Sequence, residues 1–109
     1  MKIKTIDMHD KQIICLDGKV DTNTAPEFDS ALTRLIESGS QQIVADFEKL
    51  SFISSAGLRV LLAAAKKLKA TQGELVVCAM NPTVAEVFAI SGFSTILRVF
   101  DDRESALAG

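Results

Sequence analysis

Apolar and polar positions along this 109-residue chain switch repeatedly between a period of two and a period near 3.6. Met1–Met8 and Gln12–Asp17 read as short strands joined by the turn-like run His9-Asp10-Lys11, the pattern of a hairpin. Gly18–Asn23 is a polar loop. Thr24 then has the chemistry of a helix N-cap: Glu27 three residues on completes a capping box, and Pro26 lies in the first turn. Phe28, Ala31, Leu32, Leu35 and Ile36 follow at helical spacing, and Gly39 supplies the stop. Gln42–Phe47 carries Ile43, Val44 and Ala45 and predicts a short buried strand, with Asp46 near its end. Glu48–Phe52 reads as a connection.

Ser54-Ser55-Ala56-Gly57 opens a second helix running to about Thr71, with Leu58, Leu61, Leu62, Ala65 and Leu68 as its apolar stripe and Gly73 as its stop. Glu74–Met80 is an almost unbroken apolar run, as expected of a central strand covered on both faces. Asn81-Pro82 places a cap before a proline at the first helical position. The third helix, Pro82 to about Ser91, presents Val84, Val87, Phe88 and Ile90, and Gly92 ends it. Thr95–Phe100 predicts a last strand, and Asp102–Ala108 a short helix capped by Asp101 or Asp102.

Strands and helices that alternate in this way predict a single α/β domain over residues 1–109, with largely parallel strands after the opening hairpin and right-handed crossovers. Loops that work lie at the carboxyl ends of such strands. That rule brings Gly18–Asn23, Phe47–Ser55 and Met80–Asn81 to one edge.

Composition narrows the function. Hydrophobic residues make up 48% and charged residues 24%, with a formal net charge of -2. No basic patch of the kind that reads nucleic acid is present; Lys66, Lys67 and Lys69 fit a solvated helix face. No apolar run approaches the roughly 18 residues that span a bilayer, and Met1–Met8 lacks the apolar centre of a signal peptide, so a cytoplasmic protein without a membrane partner is expected. Cys15 and Cys78 fall in apolar runs and read as buried free thiols. With a single histidine, His9, in a turn and no close Cys/His spacing, neither metal nor cofactor is expected.

Phe52-Ile53-Ser54-Ser55-Ala56-Gly57-Leu58 is the most informative segment, because it sets two hydroxyls at a helix start. Unpaired N–H groups and partial positive charge there tolerate an anion, so a phosphate on Ser55 suits its own fold. On spacing alone, Ser54 or Ser55 reads first as a simple helix cap. A small enzyme acting on a phosphorylated ligand at this edge is the rival of a different class. It lacks the glycine-lysine phosphate loop, a base for Ser55 and the Gly-x-Ser-x-Gly elbow. Asp21 and Asp46 could lie near Ser55, as metal or base candidates or as ordinary cap and strand-end residues.

Four segments together resemble the anti-sigma factor antagonists of the STAS family: Leu16-Asp17-Gly18-Lys19-Val20-Asp21 with Thr24-Ala25; Phe52 to Leu58; Gly73-Glu74-Leu75-Val76-Val77-Cys78; and Phe88 with Ser91-Gly92-Phe93. The resemblance spans about Ile13 to Leu107. It implies a mixed sheet of four or five strands with about four helices, and a partner-switching role without catalysis. The unphosphorylated protein would bind an anti-sigma factor that is itself a serine kinase, and a serine phosphatase would reset it. Ser55 falls at the phosphoacceptor position and Asp21 at the loop acid that faces an arginine of the kinase. Thr22, Asn23, Ile53, Ser54, Ala56, Gly57 and Leu58 complete the implied partner surface. The sequence departs from the strict pattern at Ser54 (an aspartate in the family), Ala56 (a second serine) and Arg59 (a small residue). The same resemblance admits a regulatory subunit of a stressosome-like or lipid-transport complex.

Overall fold

The opening strand β1 (Lys2–Asp7) lies antiparallel to β2 (Gln12–Val20), as a hairpin requires, and every later strand runs parallel to its neighbour. The computed structural model describes residues 1–109. After β2 come α1 (Ala25–Glu37), β3 (Gln42–Ile53), α2 (Ser55–Ala70), β4 (Glu74–Cys78), α3 (Pro82–Ser91), a 3-10 turn (Phe93–Thr95), β5 (Val99–Phe100) and α4 (Arg103–Ala108). The sheet order is β1-β2-β3-β4-β5, so each crossover steps to the next strand in the same direction. Right-handed connections then place α1, α2 and α3 on one face. Strand alternation matches: Ile14, Leu16, Ile43, Ala45, Phe47, Leu75 and Val77 point into one core with Phe28, Leu32, Leu61, Leu68 and Phe88. Ile13, Val44, Val76 and Cys78 point the other way, under Ala106 of α4. The five-stranded mixed sheet and four helices are those expected from the sequence.

Besides the earlier end of β4 at Cys78, where a strand to Met80 is expected, the elements differ from expectation at four places, each for a local reason. The Gly18 loop and the Glu48–Phe52 connection are strand. Asp17 pairs with Lys49, Gly18 with Leu50, Lys19 with Phe52 and Val20 with Ile53, with one register irregularity just before this stretch, between Cys15 and Asp17, and one inside it, between Gly18 and Lys19. Gly18 has φ +125, a conformation that suits the bulged chain and that few residues other than glycine adopt. Beyond the pairing of Asp46 with Cys78, β3 has left β4 behind. The ends of β2 and β3 therefore project as a two-stranded arm, exposed enough to carry the polar residues that masked it. On the β4 side, the strand stops at Cys78 because Ala79 turns with φ 60.

The third difference is the last strand, which shrinks to Val99–Phe100. Phe93 folds back to pack edge-on against Phe88 at 5.9 Å, the Thr95 hydroxyl donates to the Gly92 carbonyl, and Leu97 alone plugs the core. Ile96 is left exposed, as is Ile90 on α3. The fourth lies on α2. Its buried stripe is Gly57, Leu58, Leu61, Ala64 and Leu68, while Leu62 and Ala65 flank it half-buried.

Candidate functional site

The arm holds three chain segments together at the carboxyl ends of the strands. The Ser51 hydroxyl donates to the Gly18 carbonyl at 2.9 Å, the Ser54 amide to the Val20 carbonyl at 2.8 Å, and the Asn81 side-chain amide to the Leu50 carbonyl at 3.0 Å. Asn81 also caps α3 by accepting from the Val84 amide at 2.8 Å. The edge assembled from Gly18–Asn23, Ser51–Ser55 and Asn81 is the one that the strand-end rule selects.

Thr24 stands at the N-cap position of α1, but it is Asp21 whose side chain caps the turn that leads into the helix. One Asp21 carboxylate oxygen accepts from the amides of Asn23 at 2.9 Å and Thr24 at 3.1 Å, and the Asp21 carbonyl accepts from Ala25 at 2.8 Å. The Thr24 hydroxyl reciprocates by accepting from the Asp21 amide at 2.9 Å. This is a capping box shifted three residues upstream, with Thr24 in the role expected of Glu27. Thr24 is already in helical conformation and makes no side-chain cap of its own. The Thr24 amide first, and then the Asn23 amide, the Thr24 hydroxyl and nearby Lys19, hold the Asp21 carboxyl below the usual carboxylate range. Asp21 is thus a fixed negative charge at neutral pH, its second oxygen facing Lys19 at 3.9 Å. Thr22 and Asn23 beside it are exposed.

Ser54 is the N-cap of α2: its extended backbone lets its hydroxyl accept from the Gly57 amide at 3.4 Å. Ser55 is the first residue of the helix, and it is exposed. Ala56 is half-buried. Ile53, Gly57 and Leu58 face the interior, so they build the frame that presents Ser55 and Asp21. Phe52 is turned outward, 41% exposed, beside Lys19. Its alternation with buried Ile53 along a strand is the sequence signal for this outward position.

Gly57 is required by space. A Cβ there would lie 2.6 Å from Cγ1 of Ile53 and 2.7 Å from Cγ1 of Val20, both stiff, fully buried side chains. Overpacking costs about 1–3 kcal/mol, more than the roughly 1 kcal/mol that alanine gains over glycine in a helix. Gly57→Ala is therefore expected to lower the urea midpoint although it raises helix propensity. A midpoint at or above that of the parent protein would show that α2 can lift off the arm without penalty.

Two candidates lie elsewhere. Asp46 sits seven residues before Ile53 on β3, roughly 23 Å along the strand, and on the face covered by α4. It is buried, accepting from Nε of Arg103 at 2.8 Å and from the Glu48 amide at 3.0 Å. Its work is to tie α4 to the sheet, not to serve Ser55. His9 occupies the hairpin turn with φ 68, exposed, at the far end of β2. Cys78 is fully buried, and desolvation pushes its thiol up to about 12. Cys15, expected to be buried, is only half so, because it lines the side of the Asp46–Arg103 pair and accepts from Arg103 at 3.2 Å; burial raises its thiol as well. In register Cys15 pairs with Asp46, and Asp46 with Cys78. The thiols are thus two strands apart, roughly 9–10 Å and beyond disulfide reach.

The family model described as the STAS domain matches residues 2–106. The chain belongs to the STAS domain family. Over 105 residues it is 45% identical to BtrV of Bordetella bronchiseptica, provisionally named as an anti-sigma factor antagonist, covering 95% of this chain and 90% of that one. An anti-sigma F factor antagonist of Paenibacillus polymyxa is 31% identical over 99 residues, covering 87% of this STAS domain and 82% of the relative. Among solved structures, the anti-sigma factor antagonist SpoIIAA in its unphosphorylated form superposes with a TM-score of 0.85 at 24% identity, covering 97% of this chain and 93% of that one. The phosphorylated form of SpoIIAA from Bacillus gives 0.76. These two show a shared STAS fold.

Proposed function

We propose that this STAS domain is an anti-sigma factor antagonist that works by partner switching. Unphosphorylated, it binds an anti-sigma factor that is also a serine kinase, and so frees a sigma factor. Phosphorylation of Ser55 breaks that complex, and a serine phosphatase restores it. The domain itself catalyses nothing and acts in the cytoplasm; no helix is long and apolar enough to cross a membrane. The observation that carries the proposal is the exposed Ser55 at the first position of α2, on an arm where the Ser54 amide to Val20 carbonyl bond joins its segment to the one carrying the fixed carboxylate of Asp21. The names of relatives at 45% and 31% identity support an antagonist over a stressosome-like or transport subunit. A pull-down from native lysate, before and after phosphatase treatment, tests it. Capture of an anti-sigma factor with serine kinase activity by the dephosphorylated form alone is expected. Equal capture by both forms would overturn the switch.

The partner surface, on this reading, comprises Asp21, Thr22, Asn23, Phe52, Ser54, Ser55 and Ala56. Asp21 faces an arginine of the kinase in a charge-assisted contact. Because the same carboxylate caps α1, Asp21→Ala mixes a folding effect with a binding effect. Asp21→Asn keeps an oxygen for the Asn23 and Thr24 amides and removes only the charge. Asp21→Asn is expected to leave the denaturation midpoint nearly unchanged while weakening the complex on the order of tenfold or more, as removal of one member of an interfacial charge pair does. Calorimetry showing parental affinity with the fold intact would take Asp21 out of the interface. The capping part has a pH signature. A carboxyl held below its unfolded value stabilises the fold above that value, and the benefit fades as pH falls towards the folded one.

A further inference from the structure

Arg59 stands four residues after Ser55 on α2, and both are exposed. We propose that Arg59 is the internal counter-ion of a phosphate on Ser55, closing a phosphoserine–arginine pair across the first turns of the helix. The proposal rests on Ser55 being the modified residue.

Residues at i and i+4 are neighbours on a helix surface, with Cβ atoms about 6 Å apart, and an acid N-terminal to a base is the favourable order. Helical side chains also lean towards the N-terminus, which lets a long side chain at position 59 reach back over the turn that carries Ser55. A planar guanidinium suits a phosphate through two parallel hydrogen bonds.

The unmodified protein leaves this arginine without an anion. The three ion pairs of the structure engage Lys19, Arg98 and Arg103, and none involves Arg59. Helix α2, Ser-Ala-Gly-Leu-Arg-Val-Leu-Leu-Ala-Ala-Ala-Lys-Lys-Leu-Lys-Ala, contains no acidic residue, so nothing one turn away on the helix neutralises it. A cation close to the positive end of a helix is on the unfavourable side of the macrodipole. A phosphate on Ser55 reverses that disadvantage. Lys19 is the other cation near this edge, and it is already turned to Asp21 at 3.9 Å.

The test places phosphoserine at position 55 during translation, so that no kinase is needed, and follows the phosphorus NMR signal against pH. The free phosphomonoester loses its second proton near pH 6. With Arg59 present the midpoint is expected about 0.2–0.4 pH unit lower than in the Arg59→Ala protein, the scale of an exposed helical ion pair. Arg59→Lys should recover part of the difference, which a merely structural role would not do. Identical midpoints for the parent and Arg59→Ala, or a shift that follows Lys19→Ala instead, would overturn the pair. Since the phosphate is built in, either outcome is independent of whether a kinase recognises Ser55. That question is answered separately by mass spectrometry of the unmodified protein after kinase treatment.

Discussion

Leu61→Ala is expected to cost about 2–5 kcal/mol of stability, the range for truncating a leucine in a packed core. Leu61 has no exposed surface, and it belongs to the cluster that joins α2 to the sheet. Two terms add: the lost transfer of the side chain from water, and the cavity left between elements that cannot collapse freely. Collapse is restricted here because Gly57 already seats the start of α2 against Val20 and Ile53. At the other end, Gly73 passes the Gln41 carbonyl with no space for a Cβ. A loss of this size should lower the melting temperature by about 10 °C or more. Lys66→Ala on the exposed face of the same helix should cost under about 0.5 kcal/mol. Equal urea midpoints for the two variants would mean that α2 is seated in another register.

The elements that the sequence displays plainly are those whose residues answer to one constraint. Glu74–Cys78 is central and covered on both faces, so its apolar run is unbroken. Ser54 and Asn81 cap where a cap is the only local use for their side chains. The arm was hidden because Glu48, Lys49 and Ser51 are polar, and pairing with a distant β2 made them strand. Asp21 and Thr24 offered two overlapping caps, and choosing between them needed the position of Ala25, which is buried against the core and fixes where the helix begins. Asp46 could not be separated from the Ser55 edge without knowing that β3 continues to Ile53, nor paired with Arg103, 57 residues away. At the candidate site, Ser55 and Asp21 are singled out only by the family resemblance; spacing alone leaves them as cap or turn residues. The interior direction of Ile53, Gly57 and Leu58, and the outward one of Phe52, follow from the arm.

Phosphate on Ser55 is expected to weaken the anti-sigma complex by on the order of a hundredfold or more, that is, by about 3 kcal/mol. The group adds about -1.5 to -2 charges and a tightly held hydration shell at the first residue of α2. Inside the domain this is tolerated. The side chain is exposed, the amides of the first turn point outward, and the serine that caps the helix is its neighbour Ser54. In the proposed complex the same group would enter a packed surface next to the ionised Asp21, where repulsion and desolvation would both oppose binding. Ser55→Ala should hold the partner permanently and Ser55→Asp should bind it poorly, with melting temperatures close to that of the parent protein. Ser54→Ala loses a long cap bond of 3.4 Å, and its stability should fall modestly while the switch still operates. Mass spectrometry after incubation with the cognate kinase and ATP, run on the three variants beside the parent, separates the two serines. Phosphate on Ser54 of the Ser55→Ala protein, appearing at the parental rate, would sink the assignment. Phosphate confined to residue 55, with affinity falling as it accumulates, would make this exposed hydroxyl the control point of the domain.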